Sequence, residues 1–244
     1  MKNNELQNLL SATLQMRLNG EIEESFKLCQ KMLSGQNQFS EILWQHQPVF
    51  WSTITAGICI LTRRHSEDAG FVQKLWSDQS FIHSFHRHAS ELPPSLESLQ
   101  NILQNEYAAL IDQSHALHWI IRDKHHSPWG ILSLTDISLP SKKAEVLIGV
   151  LPNAPVGLST AAMLILFQFY FKVMKFNKLY TLIYEDNPQS LKSTLHLGFQ
   201  IEGHLRQEII DPDSGQLVDL IRTGLLAEEA FTPSNLKLMK KLLS

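Results

Sequence analysis

Apolar residues change their spacing along this chain, and each change marks a predicted element. Leu6, Leu9, Leu10, Leu14 and Leu18 form a stripe at helical spacing, Gly20 breaks it, and Ile22, Phe26, Cys29 and Leu33 form a second stripe. Two helices over 4–33 are the expectation. Residues 35–38 are a polar break, and 39–51 read as short helical or irregular structure. The run at 58–63 is a strand candidate. Ser66 followed by Glu67 and Asp68 predicts a helix start, with Phe71, Val72, Leu75 and Trp76 on its inner side. After Pro93-Pro94-Ser95, residues 96–111 have the pattern of a long amphipathic helix, and 118–122, 129–135 and 144–151 read as strands. A strongly apolar segment at 157–175 predicts a buried helix, 179–184 a strand and 237–243 a terminal helix.

The stretch from Asn187 to Arg206 carries more information than the rest. Asn187 can cap a helix, Pro188 suits its first position, and Ser190 lies in its first turn. Leu191, Thr194 and Leu195 share one face, Gly198 supplies a C-terminal stop, and Phe199 opens a strand. A last strand pair is split by the turn Asp211-Pro-Asp-Ser-Gly215. The sequence of elements is strand, two helices, three strands, helix, strand, helix, two strands, an α/β (α+β) class.

Asn187-x-x-Ser190, with Gly198-Phe199-x-x-Glu202-Gly203 beginning eight residues after the serine, resembles the second signature of the GNAT superfamily of acyl-CoA-dependent N-acetyltransferases. The continuation through Arg206 and Asp213-Ser-Gly215-Gln-Leu-Val-Asp219 is similar to the branch that acetylates protein N-terminal amines, the ribosomal-protein-alanine type. The plainer reading is an ordinary αβ unit whose glycine is only a cap. The resemblance covers roughly 58–228. It implies a mixed, mostly antiparallel central sheet flanked by helices, with 53–230 the transferase domain; it does not explain the start of the chain, where 1–52 read as a helical extension, and 231–244 read as a helical tail. It also implies acetyl-CoA as cosubstrate, no metal, and transfer to a primary amine by direct attack in a ternary complex.

In the family a Gly-rich turn before a long helix holds the pyrophosphate of CoA on exposed N–H groups. The matching segment here resembles that loop loosely. Val156, Gly157, Leu158, Ser159 and Thr160 are the implied contacts, while Ala154 stands where an Arg or Gln is usual. The pantetheine arm is expected between the strands at 147–151 and 179–184, pairing with backbone at Val150, with an N–H of Val150 or Leu151 facing the thioester carbonyl. Asn187 is expected to bind the same arm, a role compatible with capping.

Direct transfer needs a neutral amine, a route for its proton and a proton for the leaving thiolate. An α-amine with pKa near 8 needs about 1.4 kcal/mol of help at pH 7, whereas a lysine near 10.4 needs roughly 4.6 kcal/mol. A peptide or protein N-terminus therefore asks little of the site. Glu145 is the candidate base, against a plain strand-edge acid. Ser190 matches the proposed acid of the N-terminal-acetylating branch, against a capping residue. Thr194 holds the position where many relatives have a tyrosine, and Tyr184 and Glu185 are further candidates. Phe81, Phe85, His86 and Trp129 are expected near the acceptor. His83, His86 and His88 cluster without a carboxylate to complete a metal set.

The formal charge of −3 over 244 residues gives no nucleic-acid footprint. Cys29 and Cys59 form no framework, the start of the chain lacks an apolar secretory core, and the apolar run at 161–174 holds Gln168 and Lys172. A cytoplasmic protein with no membrane partner is the expectation. The Gly-x-x-Glu-Glu turn at Gly20 resembles one tetratricopeptide unit, but no second copy follows. A helical cap, or a homodimer or partner contact, is therefore expected of the first two helices. Two other readings of the whole stay open: a degenerate acyl-CoA-binding sensor or scaffold, and an acetyltransferase of small amines or amino sugars.

Overall fold

The computed structural model describes residues 3–88, 93 and 95–244, so Pro94 of the predicted Pro-Pro-Ser break lies outside the described residues. Among the described residues, eight strands form one sheet in the order β1-β2-β3-β4-β5-β6-β8-β7. They are β1 Ile54–Ala56, β2 Cys59–Arg63, β3 Leu117–Asp123, β4 Pro128–Ser138, β5 Lys143–Val150, β6 Lys178–Tyr184, β7 Gln200–Ile210 and β8 Leu217–Leu226. Every neighbouring pair is antiparallel except β5 with β6. The expected mixed, mostly antiparallel sheet with helices about it is what forms.

Strand β1 has no counterpart in the sequence reading. Three residues are too few to show alternation, and the hairpin depends on Gly57 at φ 53, where a Cβ would lie 2.0 Å from the Leu242 carbonyl oxygen. The Leu242 carbonyl also accepts from the Ile58 N–H at 3.2 Å. Helix α10 (Pro233–Leu242) thus docks on this hairpin. It starts earlier than predicted because Thr232 caps it and Asn235, 1% exposed, donates to the Leu197 and Ala230 carbonyls.

One face of the sheet is covered by α4 (Ala69–Trp76), α5 (Gln79–Phe85) and α6 (Leu96–Ala108), whose Val72, Leu75, Phe81, Leu99 and Leu103 pack on Ile120 and Ile131. The other face is covered by α8 (Leu158–Phe167), with every residue from Ala161 to Phe167 buried. A helix apolar all round needs partners all round, and sheet and α10 supply them. The predicted long helix does not stay α-helical to 175. Residues 168–173 widen into a π-helical turn, closed by the Met174 N–H on the Phe169 carbonyl at 2.9 Å.

Helices α1 (Asn3–Leu18) and α2 (Ile22–Leu33) appear as the stripes predict, with α3 (Ser40–Gln45) beneath them. Leu9, Cys29 and Leu33 are buried, with the half-buried Phe39 and Ile42 packed against them. The assembly is bolted to α6. Arg17, 1% exposed, donates from Nε to the Ala108 carbonyl at 2.6 Å, and Gln104 donates to the Leu18 carbonyl at 2.7 Å. The predicted helix over 96–111 breaks at Ala109, which turns extended before the short α7 (Ile111–Ser114).

Candidate active site

Parallel pairing of β5 with β6 covers three positions, Lys143 with Lys178, Ala144 with Leu179, and Glu145 with Tyr180. Beyond Glu145 the strands diverge, although β5 continues to Val150 and β6 to Tyr184. A bulge lies at the paired end: Thr135 pairs with Glu145 and Ser138 with Lys143, so Asp136 and Ile137 oppose one residue, with Asp136 at φ 46. Bulges add local twist, and here the added twist coincides with the parting of the strands. The open wedge encloses about 210 Å³.

Backbone direction in the wedge follows from register. The Leu151 N–H donates to the Trp129 carbonyl at 2.8 Å. In an antiparallel ladder such bonds alternate, so Val146, Ile148 and Val150 turn their backbone groups away from β4, toward the gap. Val150 therefore keeps its expected availability, and Leu151 does not: its N–H is already held by β4.

Glu145 stands at the apex. Its carboxylate accepts from the Thr135 hydroxyl at 3.3 Å and from the Leu182 N–H. Burial nonetheless pushes its pKa above the ordinary glutamate value, with Asp136 adding to the effect. On the opposite wall, Asn187 Oδ1 accepts from the Ser190 N–H at 3.1 Å, as expected of the cap of α9 (Pro188–His196). Ser190, Thr194, Phe85 and His86 all line the wedge beside Glu145. Phe81 stacks on Phe85 with centroids 5.2 Å apart. Both can approach β5 because Gly149 has no Cβ; one would meet the Phe81 ring at 2.8 Å.

At its open end the wedge runs into a cavity of about 520 Å³ lined by Val150, Pro152, Ser159 and Ser190. Gly157, at φ 84, caps α8 in the left-handed region. The Leu158 N–H is bound to the Pro155 carbonyl at 3.0 Å and the Ala161 N–H to that of Gly157 at 2.8 Å. Leu158 thus loses its expected role as a donor, because the turn closes on itself, while Ser159 and Thr160 keep first-turn N–H groups directed outward. Val156 is 98% exposed. A helix start of this kind, opening into a cavity, fits a phosphate group. Lys192, which the sequence reading passed over, lines a cavity of about 480 Å³ with Ser159 and Thr160. No local motif marks it, because it arrives from α9 across the cleft.

Some expectations fail. Trp129 does not line the wedge: its indole donates to Asp123 Oδ2 at 2.9 Å. It also lies four residues along β4 from Ser133, about 13 Å at strand rise. The face of Leu191, Thr194 and Leu195 is not buried. Leu195 is 39% exposed, because α9 lies over the wedge and not over the core. His83 contacts Asp213 at 3.8 Å. Among the described residues, the metal-compatible grouping is instead Glu185, His204 and Asp219, with ligand atoms within 4.8 Å of one another.

Arg87 was also missed. Its guanidinium, in a side chain 3% exposed, lies 4.1 Å from the Tyr184 ring centroid and contacts Asp186 at 2.5 Å and Asp211 at 3.0 Å. Its own N–H donates to the Tyr184 hydroxyl at 2.9 Å. The segment following α5, with His86, is thereby pinned to the end of β6.

Among the described residues, no helix is long and apolar enough to cross a membrane. No curated protein matches the sequence. The spermidine N-acetyltransferase of Vibrio cholerae in complex with CoA and spermine has a similar fold. It is 19% identical, with a TM-score of 0.62 over 71% of this chain and 98% of that one. A dodecameric form of the V. cholerae enzyme is 21% identical, with a TM-score of 0.57 over 70% of this chain and 94% of that one. A family model described as an acetyltransferase (GNAT) domain matches residues 59–200, more than half of the 244. The chain belongs to that family and is an acetyl-CoA-dependent N-acetyltransferase.

Proposed function

We propose that the chain acetylates a primary α-amine, such as a peptide or protein N-terminus, by direct attack in a ternary complex. The observation that carries this reading is the wedge, with Glu145 at its apex and Ser190 on its wall. Acetyl-CoA supplies the activated acetyl thioester. Ile148 and Val150 would hold the pantetheine amides, and Ser159, Thr160 and Lys192 the phosphates. Asn187 would steady the arm beside them. The amine nitrogen bonds to the thioester carbon and the C–S bond breaks. Glu145 takes the ammonium proton directly or through water; after attack the Ser190 hydroxyl gives its proton to the departing thiolate and regains one from the second proton that the nitrogen loses as the amide forms.

The branch similar to ribosomal-protein-alanine acetyltransferases supports an N-terminal amine. The V. cholerae fold neighbours, spermidine acetyltransferases, favour a second reading with a polyamine acceptor. Residues 53–230 would carry the transferase and 1–52 would brace it. Two buried free cysteines suit a reducing cytoplasm.

The test is incubation with acetyl-CoA and a panel of peptides, small amines and polyamines, reading free thiol. Turnover of an α-amine supports the proposal. Tight CoA binding without turnover on any amine would turn the reading toward a sensor, which the plain Ala154 loop and Thr194 would then explain.

A further inference from the structure

A second cavity, of about 450 Å³, lies between α4, α6 and the sheet, on the face to which Glu145 points. It is separate from the wedge but shares Phe85, His86, His88 and Leu147 with it. Thr135 lines this second cavity while its hydroxyl donates to Glu145. A molecule lying here would therefore present one end to the apex of the wedge.

Its walls are mostly hydrocarbon. Val72 and Trp76 come from α4, Leu99, Ile102 and Leu103 from α6, and Leu147 from β5. Ile102 is 44% exposed at this surface, apolar area left uncovered in an otherwise packed region. Besides His86 and His88, the polar part of the lining is paired within itself at two points. Arg64 Nη2 lies 2.5 Å from Glu106 Oε2, and Glu106 is the one carboxylate among the described lining residues. His118 binds Ser133 through Nδ1 at 2.8 Å, and burial with Arg64 and Arg63 nearby holds its imidazole well below its ordinary pKa.

Buried ammonium groups need paired carboxylates, and among the described lining residues the single carboxylate, Glu106, already pairs with Arg64. Apolar walls instead favour a hydrocarbon or aromatic group, at a volume common for small-ligand sites.

We infer that the acceptor is a monoamine bearing a large apolar group, which fills the α4–α6 cavity while its amine reaches Glu145. A peptide beginning with Leu, Met or Phe meets this description; spermidine does not. The inference rests on the acetyl-transfer reading for its direction, but binding tests it without turnover.

The experiment is calorimetric titration of the full chain, with CoA present, by 2-phenylethylamine, ethylamine and spermidine. Phenylethylamine should bind at least about tenfold more tightly than the other two, as contacts in an apolar pocket ordinarily discriminate. Ile102→Asp, at a half-exposed position that folding tolerates, and Trp76→Ala should each weaken it by about fivefold or more while leaving CoA affinity unchanged. Equal or tighter binding of spermidine overturns the proposal, as does indifference of phenylethylamine to both substitutions. Turnover is read separately. An amine that binds in the expected pattern and is never acetylated upholds the cavity assignment and removes the transfer reading.

Discussion

Arg87 Nη1 lies 3.0 Å from Asp211 Oδ2, a contact across 124 residues of sequence and almost without solvent. It joins the segment after α5, which carries His86, to the turn between β7 and β8. Arg87→Ala leaves Asp211 without its cation and removes the guanidinium from the Tyr184 ring, while the backbone N–H of residue 87 can still donate to the Tyr184 hydroxyl. The expected outcome is a Tm lower by roughly 5–10 °C, since loss of one member of a buried pair is costly. KM for the amine should rise several-fold more than KM for acetyl-CoA. Steady-state kinetics with thermal melts checks both.

Asp211 also gives a signature in acid. The Ser214 N–H and hydroxyl, then the Asp213 N–H and Arg87, hold its carboxyl below the ordinary aspartate range. With the folded pKa below the unfolded one, its contribution to stability is complete above about pH 4 and is lost as pH falls through the folded value. Asp211→Asn should therefore be less stable than the parent at neutral pH, with the two melting curves converging as pH falls through the lowered folded value.

Glu145 predicts the opposite sign. Burial raises its pKa, so its contribution to stability is fully present below the unfolded value and is lost as pH rises through the folded one. Glu145→Gln should raise Tm while lowering kcat on the order of 10²-fold, the ordinary worth of a general base. It should also remove the rise of kcat/KM with pH on the acidic side. A variant with full activity and an unchanged pH profile would mark Glu145 as structural.

Glycines at 149 and 157 separate the two halves of the site. Gly157→Ala must place a side chain at φ 84, with its Cβ 3.3 Å from Leu242, at a cost of about 1–2 kcal/mol. Acetyl-CoA affinity should fall with it. Gly149→Ala pushes against the rings of Phe81 and Phe85 at 2.8 Å, so it should raise KM for the amine first. Calorimetry with CoA distinguishes the two.

Arg17→Met tests the brace. The guanidinium is buried against the Ala108 carbonyl, and desolvation lowers its pKa to about 10. Removing the donor leaves that carbonyl unpaired, at a cost of about 1–3 kcal/mol. Because α6 lines the amine-side cavity, KM for the amine should respond while CoA affinity does not.

Much of this architecture could be read before any coordinates. The stripes of α1 and α2, the Asn187 cap and the Gly198 stop rest on contacts within a few residues, so adjacent letters report them. Gly198 does sit at φ 97 after α9, as a helix stop requires. The strand β1 and the break at Ala109 were not legible, because a three-residue strand exists only through its partner and through Leu242. Nor was the partner of Trp129 legible: the Asp123 carboxylate at the β3–β4 turn, which holds its indole, arrives through the hairpin.

The sequence by itself determined the order of elements, the buried α8 and the capped helix with Asn187 and Ser190, since local spacing and capping chemistry specify these. Only the tertiary structure decided that β5 and β6 part after Glu145, that Leu151 and Leu158 have their N–H groups occupied, that Lys192 shares a cavity with Ser159 and Thr160, and that Arg87 packs on Tyr184. Those outcomes depend on strand register, on a bulge opposite Ala144 and on side chains meeting across as many as 124 residues. No short-range pattern in the chain encodes such distances.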